Sequence, residues 1–445
     1  MLRSRKRHHE RPRRERVRFS EMDPRFSRRL DWSRTENALA VAERALRDAG
    51  ERFLDLTESN PTRVGLTTPE RREALAEALR CGASAPYAPN PRGALEARQA
   101  VAADYIAAGH LTITEAGQAA LALDPIVARA TLADRLLLTA SSSESYSFLW
   151  KLLCDPGDVV LIPEPSYPLF DYLARLDGVV TRPYQLVHDG TRTSNWHLDL
   201  DSVDEALARA PGRVAALVVV SPNNPTGTVL NLDDLAALDR RATTAGFALV
   251  ADEVFADYVD RPLSSQVRFL AGRATGALTF SLGGLSKSCG LPQLKLGWLA
   301  VGGPRSTAQA ALDRLELISD TYLSVGTPVQ TALPELLRLG AARRRSLATR
   351  IAENRRCLGE LLDAGSPLSV LRSEGGWSAI VRLPAVKSDE EWALTFLNQD
   401  GVLTHPGFYF DLHEATYVVL SLILPAEIFR EGVRRIVARV ALSLG

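Results

Sequence analysis

A chain of 445 residues, 46% hydrophobic and 24% charged, with 53 basic and 53 acidic side chains in balance, has the composition of a folded globular protein and excludes wholesale disorder. No apolar run reaches the length of a membrane span, and no apolar core follows the basic N-terminus, so the expectation is a cytoplasmic protein with no membrane partner. Cys81, Cys154, Cys289 and Cys357 form no C-x-x-C pair, which suits neither a disulfide framework nor structural zinc, and no metal is expected.

In chain order, residues 1–18 hold nine Arg/Lys against Glu10 and Glu15 without apolar periodicity, so residues 1–30 are expected to be a basic, disordered tail. No helix-turn-helix accompanies it, and no nucleic-acid partner is expected. Leu39, Val41, Ala42 and Leu46 mark an amphipathic helix ending at Gly50, and Phe53-Leu-Asp-Leu56 a short strand. The polar loop after it contains Asn60-Pro61, which either lines a site or makes a turn. Tyr87-Ala-Pro-Asn-Pro-Arg-Gly93 is a rigid loop, and the helix from Ala94 to Ala108 turns Leu95, Val101, Tyr105 and Ile106 inward.

From Arg135 the pattern strand, loop, helix repeats. Arg135-Leu-Leu-Leu-Thr139 is a buried strand, and Ser141-Ser-Ser-Glu144 fits a helix start with a capping box. A serine-rich turn at a helix N-terminus collects free N–H groups, a dipole and hydroxyls, as an anion site does; it is also what an ordinary cap looks like. Val159-Val-Leu-Ile162 leads into Pro163-Glu-Pro-Ser-Tyr-Pro168. The run Val214–Val220, apolar and β-branched, empties into Ser221-Pro-Asn-Asn-Pro-Thr-Gly227; helix 232–245 follows, then strand 247–251, ending on Asp252-Glu-Val-Phe255. The stretch from Thr279 to Trp298 turns at Gly283-Gly284 and presents Lys287 beside Ser286, with Lys295 eight residues on. This is a doubly wound α/β pattern. Ser142, Ser143, Tyr167, Asn224, Asp252 and Lys287 each follow the C-terminal end of a strand, where open α/β sheets gather ligand groups.

A lysine, a carboxylate, a stacking aromatic, an amide and a phosphate cradle in one crevice match the needs of pyridoxal 5′-phosphate: an amine to hold it, a carboxylate for the pyridine nitrogen, anchors for the ring, O3′ and phosphate. The motifs Gly284-Leu-Ser-Lys287 with a basic residue at 295, Asn224-Pro-Thr-Gly227, Asp252-Glu-Val-Phe255 and Pro165-Ser-Tyr-Pro168, in this combination, resemble fold-type I pyridoxal-phosphate enzymes, class I/II aminotransferases. The resemblance runs from about Asn60 to the C-terminus. It implies an α/β fold-type I architecture: a three-layer large domain, residues 76–329, on a mostly parallel seven-stranded-type sheet, and a smaller α+β domain from residues 31–75 and 330–445.

It further implies that Lys287 forms the Schiff base and moves the Cα proton, that Asp252 pairs with the pyridinium, that Asn224 bonds O3′ and that Tyr167 stacks on the ring. Ser142, Ser143, Ser286 and Lys295 would hold the phosphate. Tyr87 would reach a neighbour's phosphate across a homodimer interface. The partners would be an amino donor and a 2-oxo acid.

Four positions depart from the family pattern. Lys295 stands for an arginine, Gly284 for a hydroxyl residue, Phe255 for a tyrosine that helps Asn224, and Val419 for the arginine that clamps the substrate carboxylate. Without the tyrosine, the lysine-bound cofactor is expected to titrate higher than in relatives that have it. Asn60, Arg92, Tyr322 and Arg382, with Arg372 and His405, are the candidates for substrate contact. The leading function is transamination; the alternatives are a lyase, decarboxylase or oxidase on the same cofactor, or a regulator without turnover.

Overall fold

The Val/Leu-rich runs assemble into one twisted sheet because strands covered on both faces must be apolar throughout. The computed structural model describes residues 26–32, 35–80, 86–110, 125–191, 194–362 and 365–445. Residues 1–25 of the expected tail, and Cys81, lie outside the described residues; Arg28–Leu30 form one 3-10 turn, in which Ser27 Oγ accepts from the Arg29 N–H at 3.3 Å.

The strands in chain order are β1 (Leu54–Asp55), β2 (Leu136–Thr139), β3 (Val159–Glu164), β4 (Val180–Val187), β5 (His197–Leu198), β6 (Val214–Val220), β7 (Ala248–Asp252), β8 (Thr279–Gly284), β9 (Gly297–Gly302), β10 (Ser369–Val370), β11 (Ser378–Arg382), β12 (Val402–Leu403), β13 (His405–Pro406) and β14 (Tyr417–Ser421). The large sheet has the order β2-β9-β8-β7-β6-β3-β4-β5. The adjacent pairs β4–β3, β3–β6, β6–β7 and β7–β8 are parallel, whereas β9 runs antiparallel to both β8 and β2. The C-terminal ends of β2, β3, β6, β7 and β8 therefore open on one edge. A second sheet, β10-β11-β14-β13, is antiparallel, and β1 pairs with β12.

Separate cores sit on these sheets. Leu137, Phe148, Leu149, Val218, Phe280 and Leu315 pack on one face of the large sheet; Leu161, Leu217, Leu235 and Leu249 pack on the other. Leu56, Leu347, Trp392, Val418, Leu420 and Phe429 form a third core behind β14.

Three local expectations change. Val41 and Leu95, placed inward by periodicity, are exposed on their helices, because the packing partners take the neighbouring stripe, Leu39 in the first and Ala97, Val101 and Ala102 in the second. Gly283-Gly284 is not a turn: both residues are extended in β8, opposite Trp298 and Gly297. The reason for glycine is close approach, since a Cβ on Gly283 would meet Trp298 Nε1 at 2.3 Å and the Tyr105 hydroxyl at 2.7 Å.

Candidate active site

Lys287 lies on the single helical turn Leu285–Ser288 that follows β8. The turn is tied down by the Ser288 hydroxyl donating to Gly284 O at 2.9 Å and by the Tyr258 hydroxyl donating to Lys287 O at 2.8 Å. The amine is thereby aimed between two rings, with Nζ 5.0 Å from the centre of Trp377 and 5.5 Å from that of Phe255. Burial lowers the pKa of Lys287, and the Asp252 carboxylate opposes this. A lysine favoured toward its neutral form is a nucleophile and a base.

Asp252 ends β7 and is buried. Its Oδ2 accepts from the Tyr146 hydroxyl at 3.0 Å and its Oδ1 from the Val254 N–H at 3.2 Å. Burial raises its pKa; the Val254 and Tyr146 bonds and the Lys287 charge pull it back down. The periodicity of helix Ser142–Leu153 makes Tyr146 a core residue and says nothing of its hydroxyl. The signal is chemical: a buried tyrosine needs a partner for its O–H, and here that partner is the carboxylate.

The loop after β6 carries two adjacent asparagines with different tasks. Asn223 is buried: its Nδ2 donates to Pro165 O at 3.0 Å and Thr226 Oγ1 at 2.8 Å, and its Oδ1 accepts from the Ser166 hydroxyl at 3.0 Å. It locks this loop to the one bearing Tyr167, whose ring is half exposed. Asn224 is partly exposed, and its Oδ1 accepts from the Ser378 hydroxyl at 3.0 Å.

At the end of β2, Ser141 caps helix Ser142–Leu153, its Oγ accepting from the Glu144 N–H at 3.2 Å. Glu144 does not return the bond to Ser141; its Oε2 accepts from the Ala140 N–H at 2.6 Å and the Ser324 hydroxyl at 2.7 Å. The Ser142 and Ser143 N–H groups have no protein acceptor among the described residues, which leaves the helix N-terminus open to an anion. Ser286 is half-buried beside Lys287, and Lys295 is exposed with φ of 50°.

The remaining candidates have other engagements. Arg92 pairs with Glu316 at 3.1 Å and donates to Asp134 O at 2.9 Å. Asn60 Oδ1 accepts from the Thr62 N–H at 3.0 Å and the Thr62 hydroxyl at 2.7 Å, the geometry of an Asx turn. The Tyr322 ring lies 5.3 Å from Phe148 with Lys151 Nζ 6.0 Å over it. Arg382 is exposed at the end of β11 opposite Tyr417, and Arg372 is exposed beside β10. Tyr87, 82% exposed, lines a surface recess with Asn90, Ser319, Leu323 and Gln330. Val419 is buried between Ile380 and His405 on the neighbouring strands, and burial lowers the His405 pKa; Arg382, two residues beyond Ile380 on the same face of β11, is exposed. Trp377 and Ser378 belong to none of the motifs; Ser378 opens β11 of the second sheet, 154 residues from Asn224, and Trp377 precedes it.

The donor set fits pyridoxal phosphate: two open amides and serine hydroxyls for the phosphate, a buried carboxylate with no cation in bonding distance among the described residues, and, after the neighbouring strand, an amine whose pKa is lowered by burial. Residues 51–436 match the family described as aminotransferase class I and II. The chain belongs to that family. Class I/II aminotransferases use pyridoxal 5′-phosphate, and this chain is a pyridoxal-phosphate-dependent aminotransferase. It is similar to a glutamate–pyruvate aminotransferase of Haemophilus influenzae, 26% identical over 376 residues that cover 83% of this chain and 85% of the relative. It is also similar to an S-alkyl-thiohydroximate lyase of Arabidopsis thaliana, 27% identical over 65% of this chain and 58% of the relative. The alanine aminotransferase structure from Pyrococcus furiosus superposes with a TM-score of 0.77 over 94% of this chain and all of the other, at 21% identity, which shows the shared fold-type I architecture.

Proposed function

We propose that Lys287 is the residue that carries the cofactor and moves the proton in transamination between an amino donor and a 2-oxo acid. The observation that carries the assignment is the Lys287 amine, its pKa lowered by burial, on the strand edge that also presents Asp252. When bound, the cofactor supplies the electron sink that makes the donor's Cα proton removable. Lys287 Nζ takes that proton and returns it. Asp252 keeps a proton on the pyridine nitrogen, and Tyr146 and Val254 hold its carboxylate in place. Asn224 bonds O3′, Tyr167 covers the ring, and the amides and hydroxyls of Ser142 and Ser143, with Ser286 and Lys295, receive the phosphate. Trp377 and Phe255 exclude water from the amine.

The exposed Tyr87 and Leu323 beside one recess support a homodimer in which Tyr87 meets the other subunit. The core behind β14, drawn mostly from residues 31–75 and 330–445 with Phe255 and Tyr258 joining it, supports the division into residues 31–75 plus 330–445 and 76–329. Free Cys154, Cys289 and Cys357 suit a cytoplasmic enzyme.

Val419 favours keeping one second reading, a lyase reaction on the same cofactor, because the side chain at the family's carboxylate-clamp position is apolar. The deciding experiment adds pyridoxal phosphate and a panel of amino acids, glutamate and alanine included, and simple amines, with and without a 2-oxo acid. Transamination gives loss of the visible band on the donor and recovery on the 2-oxo acid; a lyase gives release of product without any 2-oxo acid. Lys287→Ala is expected to abolish both, lowering kcat by about 10³-fold or more.

A further inference from the structure

Asn224 and Phe255 together pose a problem that the second sheet answers. An asparagine side chain has a donating and an accepting end, and the two are nearly the same shape. The ring oxygen of the cofactor needs the donating end. Phe255 has no hydroxyl to share the task, so the direction in which the Asn224 amide is turned matters more here than where a phenol stands nearby.

The Ser378 hydroxyl donates to Asn224 Oδ1 at 3.0 Å. Ser378 is the first residue of β11, which pairs with β14 over five positions, so its Cβ is held by a ladder and not by a loop. Directly opposite, Ser421 keeps its own hydroxyl buried with no protein partner among the described residues, and it does not compete for the Ser378 proton. Next in sequence, Trp377 lies over the Lys287 amine, so one strand end serves both the amine and the amide. With Oδ1 engaged, Nδ2 has no protein acceptor among the described residues and is the end left for a ligand.

We propose that Ser378 is a positioning residue: by holding Asn224 Oδ1 it fixes the amide with Nδ2 as donor toward O3′, and so sets the pH at which the lysine-bound cofactor titrates. This rests on the assignment of Lys287 and Asn224 above. A hydrogen bond donated to O3′ stabilises its deprotonated form and makes the adjacent lysine nitrogen a weaker base. Loss of the Ser378 hydroxyl frees the amide to turn, so the bond to O3′ weakens and the pKa rises.

The test is a pH titration of the visible absorbance of the full-length protein loaded with pyridoxal phosphate, for wild type, Ser378→Ala, Ser378→Thr, Asn224→Ala and the Ser378→Ala/Asn224→Ala double variant. The expected result is a rise of about 0.5–1 pKa unit in Ser378→Ala, restoration in Ser378→Thr, which keeps the hydroxyl, and no further shift when Ser378→Ala is added to Asn224→Ala. A Ser378→Ala protein that titrates with wild type, or a shift of equal size in the Asn224→Ala background, overturns the proposal and leaves the Lys287 assignment standing. A wild-type protein with no visible band overturns that assignment and this inference with it.

Discussion

The strand-end edge of the large sheet and the face of the smaller sheet turned toward it are both largely buried, yet they are built on opposite plans. Along the edge, key groups are held by others: Asp252 by Tyr146 and Val254, Asn223 by Ser166, Pro165 and Thr226, the Lys287 turn by Tyr258 and Ser288. Across from it, Ile380, Val419 and His405 lie side by side, and the buried Ser421 hydroxyl has no protein partner among the described residues. Buried polar groups bonded to one another hold one geometry, which suits a cofactor that is always the same. An apolar face with little directional bonding selects by shape, which suits the side of a site where substrates differ from enzyme to enzyme.

The sharpest way to break this comparison is Asp252→Ala. Activity is expected to fall on the order of 10³-fold with cofactor retention reduced, whereas Val419→Leu leaves retention unchanged; steady-state rates and the absorbance of gel-filtered protein read both. Tyr146→Phe is the next largest effect. A hydrogen bond to a charged group is worth about 1.5–3 kcal/mol, so kcat/KM should drop roughly 10- to 100-fold. Since the Tyr146 bond lowers the Asp252 pKa, its loss raises that pKa and moves the acid limb of the pH–rate profile to higher pH. An unmoved limb would mean that the bond is structural only.

The smallest effect concerns Glu253, buried next to Asp252 with Oε1 accepting from the Leu270 N–H at 2.7 Å and Oε2 without a hydrogen-bond partner among the described residues. Burial pushes its pKa well above the carboxylate range. The folded protein therefore keeps a proton that the unfolded chain gives up, and the stability this confers is complete below the unfolded pKa and lost as pH rises through the folded one. Glu253→Gln has no such proton to lose. Wild type should lose stability relative to the variant as pH rises above the ordinary carboxylate range, read by urea denaturation at a series of pH values.

Much of the edge was legible because parallel strands announce themselves: Val214–Val220 and Ala248–Asp252 are apolar runs of strand length, and the polar residues that end them have nowhere else to go. What stayed hidden was whatever depends on pairing. Gly283 reads as a turn until Trp298 and Tyr105 are brought against it. Tyr146 reads as core until its hydroxyl meets Asp252. Ser378 opens a strand of a second sheet whose register no local pattern encodes, and Trp377 stands just before it. Arg92 and Asn60 look available in sequence and prove to be occupied, one by Glu316 and the other by Thr62.

The Asn223 amide reaches both the Tyr167 loop and the Asn224 loop with three side-chain bonds. It acts as a spacer of fixed molecular length between the two loops that, on the proposed function, flank the cofactor ring. Lengthening that one side chain by a methylene, as in glutamine, would reset that spacing while leaving every group that touches the ring in the sequence.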